Sequence, residues 1–199
     1  MTLLVASLLS LSTAGTVDEC RNIEPKRHFL STKYFGRTWY ATHALYSNTN
    51  NTAGDVNSMT CMKYTSSLLN IGVVREMGVA YFPKTKNVQQ SETLIGPENS
   101  YRMGYYVSAT RILDKNGCPL VKEFQPIQNT IIETNYDNYA LIKLCALIGT
   151  DDSTFSIYYI LNRDSAAKSV DDVVVAILKK IGLKFDDFTH ISHDDCKEN

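Results

Sequence analysis

The side chains best suited to chemistry in this sequence are its histidines, and none of them has a partner at catalytic or metal-binding spacing. They are His28, His43, His190 and His193. The chain also lacks the G-x-S-x-G motif of hydrolases, the H-E-x-x-H motif of zinc proteases and a glycine loop able to cradle phosphate. Glu76 and Glu92 could supply the two carboxylates of a glycosidase, but nothing in the sequence brings them together. We therefore expect no enzymatic activity and no metal site.

The cysteines are the second reactive group, and their spacing favours disulfides over metal or redox chemistry. They are Cys20, Cys61, Cys118, Cys145 and Cys196. None belongs to a C-x-x-C pair or lies beside clustered histidines, so zinc and thioredoxin-like sites are disfavoured. In a secreted chain the simplest count is two structural disulfides and one odd thiol.

Residues 1–14 have the features of a secretory signal peptide. The segment MTLLVASLLSLSTA is apolar, too short to cross a bilayer and ends in small residues, so we expect cleavage after Ala14 or Gly15. The basic residues that usually open such a segment are missing, which points to a start further upstream. The domain 15–199 is expected to be secreted, and we predict glycosylation of Asn50, which opens the sequon NNT in a polar stretch.

Length and composition predict one soluble globular domain. With 199 residues, 44% of them hydrophobic, the chain can bury a sizeable core but would be cramped as two domains. Its net charge is -1 and its basic residues are scattered, so neither nucleic acid nor an anionic membrane is an expected partner. After the leader, no segment is apolar enough to cross a membrane.

The elements that must position these side chains are mainly β-strands. Aromatic and β-branched runs recur at short intervals, separated by turn signals such as PKTKN and DKNG. The predicted strands are 33–46, 59–67, 73–82, 90–95, 101–113, 130–136, 139–148 and 155–163. Eight short strands at regular spacing are typical of an all-β sandwich or barrel.

One segment has helical spacing instead. Apolar side chains recur every three or four residues from Val170 to Ile181, with Asp171 and Asp172 at the start and Gly182 after the end. We expect a single amphipathic helix that packs its apolar face on the outside of the sheet. A short last strand at 188–192 would follow it.

Three short motifs resemble the landmarks of lipocalins and occur in the order of that family. Gly36 and Trp39, in the run GRTW, resemble the G-x-W element of the first strand, with one extra residue between them. Thr134 and Tyr136, in TNY, resemble the T-D-Y element between strands six and seven. Arg163 ends strand eight, where lipocalins keep an arginine that packs over the tryptophan. The resemblance implies structural roles for these five residues in an all-β fold, an eight-stranded antiparallel lipocalin barrel with one C-terminal α-helix packed outside.

A narrower resemblance extends over nearly the whole mature chain. The runs KYF, TWYATH, YALIKLC and ILNR are similar to the salivary lipocalins of blood-feeding triatomine bugs, which include triabin, pallidipin, procalin and the nitrophorins. The resemblance implies two disulfides, Cys20 with Cys145 and Cys61 with Cys196, and leaves Cys118 free, buried or paired between molecules. Disulfides that close loops this long stabilise a fold by about 2–5 kcal/mol each.

The same resemblance, combined with strand alternation, indicates which side chains face the barrel lumen. If Trp39 closes the floor, alternation points His43 into the cavity. An alignment to nitrophorins orients the third strand, whereas the fifth strand leaves two sets open, one with Tyr105 and the other with Arg102 and Tyr106. The candidate ligand contacts are His43, Glu76, Ala80, Phe82 and Tyr105.

Nitrophorins bind haem through a histidine on the third strand, and this chain lacks that ligand. The aligned position is Ala80, and no histidine lies between His43 and His190. We therefore expect neither haem nor another cofactor. A lumen with aromatic, small and a few polar side chains suits an amphipathic small molecule.

The resemblance also implies a secreted salivary protein that impairs host haemostasis. The leading hypothesis is stoichiometric capture of a small mediator, such as an eicosanoid, a biogenic amine or an adenine nucleotide, which inhibits platelet aggregation or vasoconstriction. The alternative is a triabin-like inhibitor that binds a coagulation or contact-phase protease through exterior loops such as 47–57 or 96–100. In both cases we expect a monomer.

Overall fold

Antiparallel β-strands are the main element of the structure. It is a computed structural model that describes residues 23–47, 58–70, 72–148, 153–194 and 196, and these residues contain nine strands. They are β1 (Thr38–Ser47), β2 (Thr60–Leu68), β3 (Val74–Phe82), β4 (Asn87–Ile95), β5 (Tyr105–Leu113), β6 (Gln125–Thr134), β7 (Tyr139–Ile148), β8 (Ser153–Asn162) and β9 (Thr189–His190).

The sheet closes into a barrel because β1 pairs with strands on both of its sides. Strands β2 to β8 pair in chain order, β8 pairs with β1, and the first residues of β1 pair back to β2. The two residues of β9 pair with the later part of β1, outside the ring of eight. The predicted eight-stranded antiparallel barrel is therefore confirmed.

The helix predicted near the C-terminus spans Asp172–Lys180. Asp171 caps it by accepting a 2.9 Å hydrogen bond from the backbone N–H of Val173. Val174 and Leu178 are fully buried in a cluster with outward-facing residues of β7 and β8. The shorter helical segments are Ser31–Tyr34, Glu98–Tyr101 and the 3-10 turn Phe185–Asp187. No helix in the described ranges is long and apolar enough to span a bilayer.

Several strand boundaries differ from the prediction, and three strands start four or five residues away from the expected position. β1 begins at Thr38, five residues later than expected, because Ser31–Tyr34 forms a helical turn. β5 begins four residues later than expected, because Glu98–Tyr101 forms a helical turn and Gly104 then adopts a left-handed φ of 71°. β6 begins five residues earlier and includes Pro126, which is tolerated because it lies at the start of the strand.

One end of the barrel is closed by Trp39 and Arg163. Trp39 is buried, and the guanidinium carbon of Arg163 lies 3.4 Å from the centroid of its ring. The same guanidinium donates hydrogen bonds to the backbone oxygens of Tyr34 (2.8 Å), Thr38 (2.8 Å) and Tyr136 (3.1 Å). The stacking implied by the lipocalin motifs is thus present, and it ties three chain segments together at the floor of the barrel.

The other motif residues hold turns at the same end. Gly36 has a φ of 82°, which favours glycine, and its backbone N–H donates to the Ser66 hydroxyl at 3.0 Å. The Thr134 hydroxyl donates to the backbone oxygen of Tyr139 (2.7 Å) and accepts from the backbone N–H of Tyr136 (2.8 Å). These contacts fix the chain where it leaves and re-enters the barrel wall.

The predicted disulfide between Cys61 and Cys196 is confirmed. It joins β2 to the segment after β9 across 135 residues of sequence and is typical of a secreted protein. Cys145 is disulfide-bonded, and Cys20, its predicted partner, lies outside the described residues. Cys118 is a free, exposed thiol between β5 and β6. The predicted signal peptide and the sequon at Asn50 also lie outside the described residues.

Candidate functional site

A cavity of about 660 Å³ occupies the inside of the barrel, with Trp39 and Tyr34 among the residues at its closed end. This volume is within the range of pockets that hold small organic ligands. Side chains from β1 to β8 line it, and the alternation along each strand decides which of its side chains face the cavity.

The lumen face of β3 agrees with the prediction. β3 pairs with β4 in an uninterrupted register along its whole length, so its side chains alternate regularly. Glu76, Gly78, Ala80 and Phe82 all line the cavity. Three of the five candidate ligand contacts therefore line the cavity.

His43 lies outside the cavity, so the prediction that it faces the lumen is wrong. Ala41 pairs with Leu161 and His43 with Ile160, which leaves Thr42 as the extra residue of a β-bulge. One inserted residue reverses the alternation for the rest of the strand. Side chains after the bulge therefore face the side opposite to the expected one.

The surroundings of His43 are those of a packing residue. Its ring centroid is 5.1 Å from the rings of both Phe185 and His190. Its Nδ1 is 3.1 Å from the hydroxyl of Thr42, and since that hydroxyl donates to the backbone oxygen of Ile160 (3.1 Å), Nδ1 is the donor to Thr42. Burial, and then the proximity of His190, lower the pKa of His43 to about 4. His43 is therefore neutral in the folded protein near pH 7.

Tyr105 also points away from the cavity, which corrects the prediction for the fifth strand. Its hydroxyl donates a 3.0 Å hydrogen bond to the side-chain oxygen of Gln128 on the outer face. The complementary side of β5 lines the cavity and includes Tyr106. Arg102, which the sequence placed in that same set, lies instead in the turn before β5 and forms an exposed ion pair with Glu98.

Glu76 is the only charged side chain among the described residues that line the cavity. It lies near the floor, since it pairs across the strands with Ser66, which contacts Gly36. Its side chain is partly buried and lines the cavity, and no hydrogen bond or ion pair to it is found within the described ranges. Burial raises the pKa of this carboxyl to about 7.

Aromatic side chains surround Glu76. The pKa values of the Tyr34, Tyr64 and Tyr106 phenols are raised by burial, and the negative charge of Glu76 raises each of them further. The Tyr34 and Trp39 rings are 5.3 Å apart at the floor. The carboxyl therefore lies close to several aromatic side chains.

The two sides of the cavity differ in polarity. Strands β4 to β6 carry polar groups that bond one another: the Thr93 and Thr110 hydroxyls are 3.0 Å apart, and the Asn129 amide donates to the Ser108 hydroxyl at 2.9 Å. The opposite wall, from β7 and β8, is mainly apolar, and its most polar side chain is Tyr159. Its apolar residues include Ile142, Leu144, Phe155, Ile157 and Leu161. The sequence does not predict this polar wall, because only the pairing of β4 with β3 reveals which face of β4 is inside.

The described residues contain no group of three histidine, cysteine, aspartate or glutamate side chains that could hold a metal ion. A single carboxyl among aromatic rings is instead an arrangement that can bind a cation.

Comparisons with known proteins agree with the fold. The family model described as Nitrophorin matches residues 20–199. The chain is 28% identical over 203 residues to Nitrophorin-3 of Rhodnius prolixus. This alignment covers 98% of this chain and 93% of that protein.

Two solved structures share the barrel. One is described as the tryptamine complex of the amine binding protein of Rhodnius prolixus, with a TM-score of 0.73, 21% identity and coverage of 89% of each chain. The other is a leukotriene C4 complex of a protein named LTBP1, with a TM-score of 0.55, 16% identity and coverage of 85% of this chain and 90% of that chain. At these identities the likeness establishes the fold.

Proposed function

Because the chain belongs to the nitrophorin family, a group of triatomine salivary lipocalins, we propose that it captures a small aromatic amine in the barrel cavity, by stoichiometric binding and without catalysis. The observation that carries this proposal is the position of Glu76. A lone carboxyl at the floor of an aromatic cavity matches a ligand that has a cationic nitrogen at one end and a ring behind it.

The electrostatics of the cavity favour a cation. An ammonium group that enters the cavity gains a charge-assisted hydrogen bond to Glu76, which offsets part of the hydration that the group loses. The surrounding rings of Tyr34, Tyr64 and Tyr106 add cation–π attraction, which is worth about 1–2 kcal/mol when water is excluded. Tryptamine, the ligand in the complex of the similar amine binding protein of Rhodnius prolixus, is also aromatic and cationic.

The other mediators considered from the sequence fit the described lining less well. Eicosanoids and adenine nucleotides are anions, and no lysine, arginine or histidine lines the cavity among the described residues. An anion placed there would face the Glu76 carboxylate without a compensating positive charge. Because the more distant barrel is described with bound leukotriene C4, the experiment below includes that lipid as a competing ligand.

The donor groups in the cavity do not fit haem held through an imidazole. Ala80 occupies the strand position aligned with the haem ligand of nitrophorins, and the described histidines all lie outside the cavity lining. Burial strongly raises the pKa of the lumen phenols, which opposes tyrosinate ligation. We propose that the protein acts without haem.

We further propose that this capture serves to impair host haemostasis. Removal of a vasoactive or platelet-activating amine from the site of a bite would limit vasoconstriction and platelet aggregation, and a stoichiometric mechanism requires an abundant secreted protein. Binding to a coagulation protease has no comparable support. One of the loops that would carry it, 47–57, lies almost wholly outside the described residues.

The test uses two ligands of similar shape and opposite charge. Isothermal titration calorimetry of the oxidised mature protein with tryptamine and with indole-3-propionate should show one-to-one binding of the amine alone. The variant Glu76→Gln should bind tryptamine about 100-fold more weakly, because it leaves a buried cation without its counter-charge. Equal affinity for both ligands, or tighter binding of the acid or of leukotriene C4, would overturn the proposal.

A further inference from the structure

We propose that Gly78 and Ser91 form a hydroxyl subsite in the wall beside Glu76, so that the preferred ligand is an aromatic amine with a hydroxyl group on its ring. This inference rests on the proposed amine-binding function and adds a specificity determinant to it. Three observations support it: a gap in the wall, a hydroxyl that has no hydrogen-bond partner among the described residues, and the spacing along the strand.

The gap exists because residue 78 is a glycine. Gly78 and Ser91 are paired opposite each other on β3 and β4, and both line the cavity. A Cβ atom built on Gly78 would lie 2.3 Å from the Ser91 hydroxyl oxygen and 3.4 Å from the ring of Tyr64. The Ser91 hydroxyl therefore occupies space that any other residue at position 78 would take.

The Ser91 hydroxyl differs from its neighbours in having no hydrogen-bond partner within the described residues. Thr93 is paired with Thr110, and Ser108 with Asn129. Ser91 is only partly buried, and its open surface faces the cavity. Together with the Glu76 carboxyl, it is a polar group in the described cavity wall that a ligand can satisfy.

The spacing suits one small ligand. Gly78 is two residues from Glu76 on the same face of β3, so the backbone positions of the two residues are about 7 Å apart along the strand. An arylethylamine whose ring hydroxyl is remote from the ethylamine chain spans a comparable distance. Such a molecule can place its ammonium group on Glu76 and its hydroxyl on Ser91 while its ring packs on the apolar wall.

The experiment compares matched amines with and without the hydroxyl. Calorimetry should show that 5-hydroxytryptamine binds about fivefold or more tightly than tryptamine, and tyramine more tightly than phenethylamine, since one net hydrogen bond is gained. In Ser91→Ala both ratios should fall to about one. Gly78→Ala should lower the ratios as well, because the new methyl group displaces the hydroxyl.

The matched control is Ser108→Ala, which removes a lumen hydroxyl that is already bonded to Asn129. It should keep the wild-type ratios, and thermal unfolding would verify that all variants are folded. If tryptamine binds but Ser91→Ala retains the wild-type preference, the subsite is wrong and the amine proposal stands. If no amine binds the wild-type protein, both proposals fail.

Discussion

Glu76 and His43 are two buried ionisable side chains on strands of the same barrel, and they lie on opposite sides of its wall. Glu76 faces the cavity and has no bonded partner within the described residues, whereas His43 is enclosed by Phe185 and His190 and donates to Thr42. Burial shifts the pKa of both toward the neutral form. Burial alone therefore does not mark a functional group. The distinguishing feature is a polar group left unsatisfied and open to an enclosed space.

The largest expected effect is on the pH dependence of stability, measured without ligand for the wild type and for Glu76→Gln. The pKa of Glu76 is about 7 in the folded protein against an ordinary 4.5, so the folded state retains a proton that the unfolded chain releases between these values. The wild type should therefore lose about 3 kcal/mol of stability relative to the variant as the pH rises from 4 to 8. Urea denaturation at several pH values measures this difference.

Glu92→Gln provides the control of opposite sign. Glu92 is also a carboxylate in this sheet, but it accepts hydrogen bonds from Arg75 and Arg111 on the outer face, and these bonds lower its pKa against the effect of burial. Its replacement should destabilise the protein at pH 8. If Glu76→Gln behaves in the same way, Glu76 is a structural ion-pair member and not an open ligand group.

The corresponding prediction for His43 concerns acid. Its pKa is about 4 in the folded protein and about 6.5 in the unfolded chain, so the unfolded chain takes up a proton first as the pH falls. Between pH 8 and pH 5 the wild type should lose about 2 kcal/mol relative to His43→Leu. Denaturation curves at both pH values measure the effect, and parallel curves for the two proteins would contradict the buried, neutral state of His43.

The amine affinity should follow the ionisation of Glu76 and not that of His43. Only the carboxylate form attracts an ammonium group, and the pKa near 7 places its ionisation close to physiological pH. Tryptamine affinity should therefore rise about tenfold from pH 6 to pH 8 and level off above that. His43→Leu should reproduce this profile, and Glu76→Gln should give a flat one. A profile that His43→Leu abolishes would reverse the assignment of the two groups.

The sequence predicts the frame of this molecule better than the contents of its cavity. Trp39 and Arg163 are recognisable because the order of the lipocalin motifs reveals the contact between them, and the Cys61–Cys196 bond follows from the resemblance to triatomine salivary lipocalins. Glu76 and Phe82 were placed correctly because β3 runs without interruption beside β4. Alternation is reliable wherever a strand is regular.

The errors arise where a single residue changes the alternation. The bulge at Thr42 leaves no clear trace in the sequence, since threonine is ordinary in a strand, yet it moves His43 from the inside to the outside. Tyr105 and Tyr106 could not be separated because both are aromatic and adjacent, and only the pairing of β5 identifies the inner one. Ser91 was missed because its significance depends on the glycine across the strand.

The smallest expected effect on stability comes from replacing Thr42, the bulge residue that precedes His43 on β1. Its buried hydroxyl donates to the backbone oxygen of Ile160 and accepts from His43, so Thr42→Val removes two hydrogen bonds at nearly constant shape. We expect a loss of about 1 kcal/mol in the free energy of unfolding and no change in tryptamine affinity. Urea denaturation and calorimetry on the same preparation measure both.

Because β1 carries Trp39 at its inner start and His43 on its outer face, an altered affinity would mean that the two sides of the wall are coupled through the bulge. An unaltered affinity would establish that the outer cluster stabilises the barrel without shaping its cavity.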